Sequence, residues 1–164
     1  MLESPTMASI LDLLKRLRDA DVEFVLVGGL AATVHGSAVV TEDADVCAPL
    51  TEANLERILT AISPLDPSHR MTPKRLPLVQ TAGELVGFKN LYLSTSAGQL
   101  DILEEVSGVG DFQAVLNAST EVTVWQGPMR VLSLDALIRS KRAMNRPKDL
   151  QVAIELEAIR SRLP

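Results

Sequence analysis

The sequence predicts a two-layer α+β domain, in which helices pack with antiparallel hairpins around a central buried strand. A short β-branched apolar run at residues 22–27 indicates a buried strand. Two later pairs of apolar segments are each separated by turn residues, which is typical of antiparallel hairpins. Both ends of the chain carry apolar residues at helical spacing. With 164 residues the chain has the length of one domain, so we expect residues 1–164 to form a single domain whose C-terminal helices, at about 133–162, pack on the sheet.

Helices are predicted where apolar residues recur at helical spacing and where capping residues mark the ends. Residues 7–20 repeat leucine and isoleucine at that spacing and should form an amphipathic helix. Thr51 is an N-cap for a later helix, and Ser133 caps one that reaches about residue 144. Pro147 suits the first position of a last helix that ends near Arg162.

Further strands are predicted from short apolar segments bounded by turns. Residues 43–48 should form the second strand, after the one at 22–27. A first hairpin joins segments within 85–94 and 98–103, and a second joins 120–125 to 129–134. Together these segments indicate one sheet built largely from hairpins.

Composition and charge exclude several classes of protein. Hydrophobic residues make up 46% of the chain and charged residues 23%, which is ordinary for a globular domain. No apolar run approaches the roughly 18 residues of a membrane helix, and residues 1–20 do not resemble a secretion signal. A single cysteine, Cys47, excludes an internal disulfide and a cysteine-rich zinc site. We therefore expect a cytoplasmic protein with no membrane partner and, because its net charge is −5, no non-specific binding of nucleic acid.

Basic residues are nevertheless concentrated in two places. Residues 63–78 contain four prolines, which predicts a loop with at most short secondary structure, and this segment carries a small basic patch. A second basic run covers residues 130–148, where there is a single acid. Each could be a solvated face, or a rim that faces phosphate. The two sets are His69, Arg70, Lys74 and Arg75, and then Arg130, Arg139, Lys141, Arg142, Arg146 and Lys148.

Two carboxylates follow a glycine pair closely. Asp43 and Asp45 lie on one predicted strand, where alternate side chains share a face, with Cα atoms roughly 6 to 7 Å apart. Like charges at that distance repel each other, and a bound divalent cation would relieve the repulsion. Mg²⁺ prefers carboxylate oxygens together with substrate phosphate. The pair therefore indicates a metal and phosphate site.

Asp101 and the glycine pair each have two interpretations. Asp101 lies between two apolar residues on a predicted strand, so it faces either solvent or the same site as the two other aspartates. Glu104 is a weaker alternative for a third acid. Gly28 and Gly29 could form a tight strand-to-helix turn, or could let backbone amides approach a phosphate closely.

The order of strand, glycine pair, helix, Thr-x-Asp-x-Asp and later strand-borne aspartate resembles the nucleotidyltransferase fold of the DNA polymerase beta superfamily. It is most similar to the minimal prokaryotic members, including the AbiEii toxin-like group. The stretch "SLDALIRSKRAMNRPKDL" at residues 133–150 resembles a segment of that group as well. The resemblance implies a mixed, mostly antiparallel sheet packed by helices, and transfer of a nucleoside monophosphate from a nucleoside triphosphate to an acceptor hydroxyl.

The same resemblance implies roles for individual residues and for a cofactor. Two Mg²⁺ ions, with Mn²⁺ as an alternative, would be held by the catalytic acids, which are Asp43, Asp45 and Asp101. The triphosphate would be held by the nucleotide-binding residues, which are Gly28, Gly29, Thr41 and Lys141. The acceptor is not specified and could be RNA, a protein or a small molecule.

One departure from the family pattern keeps a second interpretation open. Many members have an arginine two residues before the motif threonine, whereas this sequence has Val39. Lys141 or Arg142 could replace that positive charge. Alternatively, the chain is a catalytically weak or inactive module that binds a nucleotide or a protein partner, for example one component of a toxin–antitoxin pair.

Overall fold

The computed structural model describes residues 7–164, whose backbone forms helices and strands of an α+β domain. The helices are α1 (Met7–Asp19), α2 (Gly28–Val34), α3 (Glu52–Ile62), α4 (Ala82–Leu85), α5 (Phe112–Asn117), α6 (Leu134–Met144) and α7 (Pro147–Ser161). The strands are β1 (Val25–Val27), β2 (Asp43–Cys47), β3 (Ser68–His69), β4 (Asn90–Thr95), β5 (Gly98–Leu103), β6 (Glu105–Val106), β7 (Gly110–Asp111), β8 (Ser119–Val124) and β9 (Gly127–Leu132). The predicted fold class is confirmed.

Seven strands form one mixed sheet in the order β3-β4-β5-β2-β1-β9-β8. Four of its six neighbouring pairs are antiparallel, and the pairs β2–β5 and β1–β9 are parallel. Strands β6 and β7 form a separate two-stranded hairpin. The mostly antiparallel sheet agrees with the prediction, and its central parallel pair brings β2 and β5 side by side.

One face of the sheet carries the main core. Alternate residues of β2, β4 and β5 are almost fully buried, and α1 contacts both β2 and β5 while it also packs on α3. These residues are Ala44, Val46, Leu91, Leu93, Leu100 and Ile102. Burial of each large aliphatic side chain contributes about 1.5 to 3 kcal/mol to folding. The intervening residues of these strands point to the opposite face, where polar side chains collect.

Capping and periodicity placed most helices correctly. Helix α1 occupies the predicted segment, and Thr51 accepts a hydrogen bond from the Asn54 amide at the start of α3. Ser133 caps α6 in the same way, and Pro147 is the first residue of α7. Leu156 of α7 belongs to the same buried cluster as the sheet residues. That the whole chain forms one domain stays a prediction, and residues 1–6 lie outside the described part.

Two predicted strands begin later in the structure than the sequence indicates. Strand β1 begins at Val25 rather than at residue 22, because the side chain of Asn54 satisfies both backbone groups of Glu23, at 2.8 and 3.0 Å. Strand β4 begins at Asn90 because α4 occupies residues 82–85. The segment at 63–78 agrees with the prediction of a loop with at most short structure, and its two-residue strand β3 pairs with β4 at the sheet edge.

No helix between residues 7 and 164 is long and apolar enough to cross a membrane.

Candidate active site

The parallel pairing of β2 with β5 places two aspartates next to each other. Asp45 and Asp101 are direct Cα partners in the register, and Asp43 is opposite Gln99, one pleat away on the same face. Neighbouring strands lie about 4.8 Å apart, so the carboxyls of Asp45 and Asp101 are within contact range. All three aspartates line one cavity of about 1140 Å³. The sheet therefore brings the three acids predicted from the sequence to one cleft.

These acids perturb each other's protonation. Burial, together with the charges of Asp101 and Asp43, raises the pKa of Asp45 to about 6. Burial also raises the pKa of Asp101, against the opposing charge of Arg70. The two carboxyls interact with each other, and burial is the largest cause of the rise in both pKa values. The cluster therefore holds more negative charge than its environment readily accepts.

The glycine pair makes room for the polar residues of the cleft. Gly28 has φ +68°, and a Cβ there would lie 2.3 Å from Oδ2 of Asp45. A Cβ on Gly29 would lie 3.0 Å from Cβ of Thr41, whose hydroxyl accepts a hydrogen bond from the Asp43 amide at 3.3 Å. Any side chain at Gly28 would displace Asp45 and strain the backbone. The glycines are thus required by close approach, whatever ligand the cleft binds.

Helices α6 and α7 contribute a basic wall. Lys141 is 14% exposed, and its Nζ lies 3.5 Å from Oδ1 of Asp149. Arg146 donates to Asp149 through Nε at 2.5 Å and Nη2 at 3.2 Å. Burial alone would raise the pKa of Asp149, but the hydrogen bond from Arg146 and the charge of Lys141 outweigh it and lower that pKa. The positive charge of Lys141 also opposes the rise in the pKa of Asp45, so it acts on the acid cluster.

Other residues predicted near the site have different positions. Arg142 lies outside the cavity lining and pairs with Glu157 at 2.6 Å. Val39, which is 52% exposed, lines the cavity and supplies no charge. Glu104 is exposed and is not among the lining residues, so the weaker alternative for a third acid is not in this cleft.

The structure adds a residue that the sequence did not assign to the acid cluster. Arg70 donates to Oδ1 of Asp101 at 2.6 Å and to Oε1 of Gln99 at 3.1 Å. Its guanidinium lies 5.6 Å from the centre of the Tyr92 ring. The basic patch that contains Arg70 is visible in the sequence, but its contact with Asp101 depends on the unpredicted pairing of β3 with β4.

Carboxylates are the ligands that Mg²⁺ prefers, so the chemical type of these donors fits a divalent cation. In the part of the chain from residue 7 onward, no three His, Cys, Asp or Glu side chains are arranged closely enough to hold a metal ion as they stand. Asp43 lies one pleat from the other two acids, and Arg70 occupies one oxygen of Asp101. The carboxyls of Asp45 and Asp101, which are direct register partners, fit such an ion in chemical type, and Asp43 on the same face would be the third ligand.

No protein-family model and no curated protein matches the sequence. Solved structures do match. The lincosamide antibiotic adenylyltransferase LnuA, with lincomycin bound, superposes with a TM-score of 0.63 at 13% identity, over 96% of this chain and 99% of LnuA. ANT(2'')-Ia in complex with adenylyl-2''-tobramycin gives a TM-score of 0.57 at 12% identity, over 95% of this chain and 96% of that one. An antigenic nucleotidyltransferase-like protein from Paracoccidioides brasiliensis gives 0.54 at 16% identity, over 92% of this chain and 75% of that one.

The chain therefore has the nucleotidyltransferase fold. Identities this low establish the fold alone, and membership of the AbiEii toxin-like group stays a prediction.

Proposed function

We propose that the protein is a metal-dependent nucleotidyltransferase, which transfers a nucleoside monophosphate from a nucleoside triphosphate to an acceptor hydroxyl. The single observation that carries the proposal is the register of β2 and β5, which sets Asp45 beside Asp101 with Asp43 on the same face. A glycine turn lies against Asp45, and a basic wall faces the acids. This arrangement is suited to a triphosphate bound with a divalent cation.

The two sides of the cleft would have different tasks. Gly28 and Gly29 begin α2, whose N-terminus has no side-chain cap, and their amides would donate to phosphate oxygens. Thr41 lies against this turn, and Lys141 would add positive charge from α6. The triphosphate would thus lie between the start of α2 and the basic wall.

The acids would hold the cation and handle the proton. Asp43, Asp45 and Asp101 are the residues that would bind Mg²⁺, or Mn²⁺, which supplies positive charge to offset the triphosphate and the departing pyrophosphate. Asp101, which is the register partner of Asp45, would accept the proton of the acceptor hydroxyl. The acceptor oxygen forms a bond to the α-phosphorus, the bond from that phosphorus to the bridging oxygen of the β-phosphate breaks, and pyrophosphate carries the electron pair away.

The structural neighbours indicate what to test first. LnuA and ANT(2'')-Ia are described with a lincosamide antibiotic and with an adenylylated aminoglycoside, respectively. ATP is therefore the first donor to test, and small molecules with hydroxyl groups are the first acceptors, followed by RNA and protein.

A second candidate function is a nucleotide-binding module with little or no turnover. Val39 favours it, since an exposed valine lines the cavity where many members of the resembled superfamily carry an arginine. A protein partner, such as the other half of a toxin–antitoxin pair, would then use the same cleft.

Transfer of label separates the two candidates. The protein is incubated with Mg²⁺, an acceptor pool and a nucleoside triphosphate labelled at either the α- or the γ-phosphate. Transfer predicts that α-label reaches an acceptor, that γ-label appears only in pyrophosphate, and that Asp101→Asn abolishes transfer while it retains triphosphate binding. Binding of the triphosphate without release of pyrophosphate, across all acceptor pools, would instead support the inactive module.

A further inference from the structure

Arg70 is placed beside the acid cluster by the edge of the sheet. Its backbone amide donates to the carbonyl of Tyr92 at 2.9 Å, which continues the β3–β4 ladder one residue beyond His69. Tyr92 is in turn the direct register partner of Asp101. Arg70 therefore reaches Asp101 from the β4 side, opposite the glycine turn and the basic wall.

Three residues of β4 and β5 hold the guanidinium. One nitrogen donates to Asp101 and another to Gln99, two residues apart on the same face of β5, while the group lies over the ring of Tyr92. A planar guanidinium can span two acceptors in this way, and a lysine ammonium cannot. Both side chains of the Arg70–Asp101 ion pair are only 16% exposed. The pair is thus more constrained than a typical surface ion pair.

Arg70 contacts the acid cluster without lining the cleft. Asp101 and Tyr92 line the cavity, but Arg70 is not among its lining residues. Its contact to Oδ1 fixes the orientation of the Asp101 carboxyl and places a positive charge beside that oxygen. A hydrogen bond of this kind orients a metal ligand, while the positive charge repels a cation at the same carboxylate.

We propose that Arg70 is a positioning residue that acts through Asp101: it holds the third carboxylate in place and lowers the affinity of the acid cluster for divalent cations. The inference rests on the proposed function for its effect on transfer, but its effect on cation binding does not require transfer. The loss of orientation and the loss of positive charge should have opposite effects, the first on the rate of transfer and the second on the affinity for cations. Loss of Arg70 should slow transfer, because Asp101 loses its fixed orientation, and should tighten cation binding, because a competing positive charge is removed.

The size of the binding effect follows from Coulomb's law. A unit charge about 6 Å from a divalent cation in a water-like medium changes its dissociation constant about tenfold, and salt reduces this effect. We therefore expect Arg70→Ala to lower the dissociation constant for Mn²⁺ about 3- to 10-fold. We expect the transfer rate to fall about 10- to 100-fold, the range typical for a residue that orients a metal ligand.

The experiment titrates Mn²⁺ alone into the full chain by calorimetry, with free Mn²⁺ counted by electron paramagnetic resonance. Arg70→Lys keeps the charge but cannot span Gln99 and Asp101, so it should leave Mn²⁺ affinity within about twofold of wild type and still slow transfer. Arg75→Ala is the matched control, because it removes the same charge from the same loop, where its contact is to Ser94 at 3.4 Å rather than to an acid. It should change neither quantity.

The possible outcomes distinguish a failure of the inference about Arg70 from a failure of the proposed function. Unchanged or weaker Mn²⁺ binding in Arg70→Ala overturns the inference, as does an absence of Mn²⁺ binding in both wild type and variant. If Arg70→Ala does not fold, Arg70→Gln is titrated instead, because it removes the charge and retains an amide donor. Unchanged or weaker Mn²⁺ binding in Arg70→Gln then overturns the inference. If wild type transfers nothing, the proposed function fails, and the Mn²⁺ titration still decides whether Arg70 competes for Asp101.

Discussion

Neutralising Asp45 should stabilise the protein in the absence of metal. The pKa of Asp45 is raised from the ordinary value of 3.8 to about 6, because the carboxyl is buried beside two other acids. Each pKa unit corresponds to about 1.4 kcal/mol, so the ionised side chain costs the fold about 3 kcal/mol at neutral pH. Asp45→Asn removes this cost and keeps an amide that can donate to Asp101. The expected gain is at most about 3 kcal/mol in the free energy of unfolding, or about 6 to 12 °C in Tm for a domain of this size.

The pH dependence has a defined sign. The folded protein binds the proton of Asp45 more tightly than the unfolded chain does. This proton therefore contributes its full stabilisation of the fold below about pH 4, and the contribution is lost as the pH rises through about 6. The advantage of Asp45→Asn over wild type should therefore be largest above pH 6 and should disappear towards pH 4. Thermal melts in the presence of a chelator, between pH 4 and 8, measure the difference in stability between Asp45→Asn and wild type and its dependence on pH.

Asp149→Asn is the opposite control for this prediction. Asp149 is 2% exposed, but its pKa is lowered because it accepts hydrogen bonds from Arg146. Loss of its charge leaves Lys141 and Arg146 without their partner, so this variant should be less stable by about 1 to 3 kcal/mol at neutral pH. An Asp45→Asn variant that is no more stable than wild type at pH 7.5, or is equally stabilised at pH 4, would refute the electrostatic reasoning.

Two further variants test opposite walls of the cleft. Lys141→Ala should weaken Mg²⁺–triphosphate binding by about 1 to 3 kcal/mol, the scale of a charge-assisted hydrogen bond. Arg142→Ala should not weaken it, because Arg142 is paired with Glu157. Equal losses of affinity in the two variants, measured by calorimetry, would contradict the assignment of Lys141. Gly28→Ala should lower the free energy of unfolding by about 1 to 3 kcal/mol, measured by chemical denaturation. The reasons are that the φ of +68° disfavours a side chain and that the new Cβ would lie 2.3 Å from Oδ2 of Asp45. A stability equal to that of wild type would show that the turn is not constrained as described.

Local patterns predicted the parts of the site that depend on local geometry. The shared face of Asp43 and Asp45 follows from the two-residue period of a strand, and β2 carries both. The spacing of Leu134, Leu137, Ile138 and Lys141 at i, i+3, i+4 and i+7 places them on one side of a helix, and Lys141 is only 14% exposed in the structure. Each of these placements depends only on the conformation of a single helix or strand.

Long-range pairings were not predictable in the same way. Asp101 reaches Asp45 because β5 pairs with β2 in parallel, although residues 48–97 separate these strands in the sequence. Only the family resemblance, not the periodicity, connected them. The position of Arg70 depends on β3, a two-residue edge strand in a proline-rich segment whose pairing with β4 was not predicted. Strands this short have no hydrophobic alternation that a sequence could reveal.

The affinity of a Mg²⁺–nucleoside triphosphate complex for wild type and for the double variant Asp43→Asn with Asp45→Asn tests the central claim most directly. Titration calorimetry at matched pH measures it without knowledge of the acceptor, and circular dichroism checks that the fold is retained. If the acids hold a cation together with the triphosphate, wild type should bind the nucleotide only when Mg²⁺ is present, and the double variant should lose this Mg²⁺-dependent binding. Equal Mg²⁺-dependent affinity in a folded double variant would contradict the assignment of this cleft as a nucleotidyltransferase site.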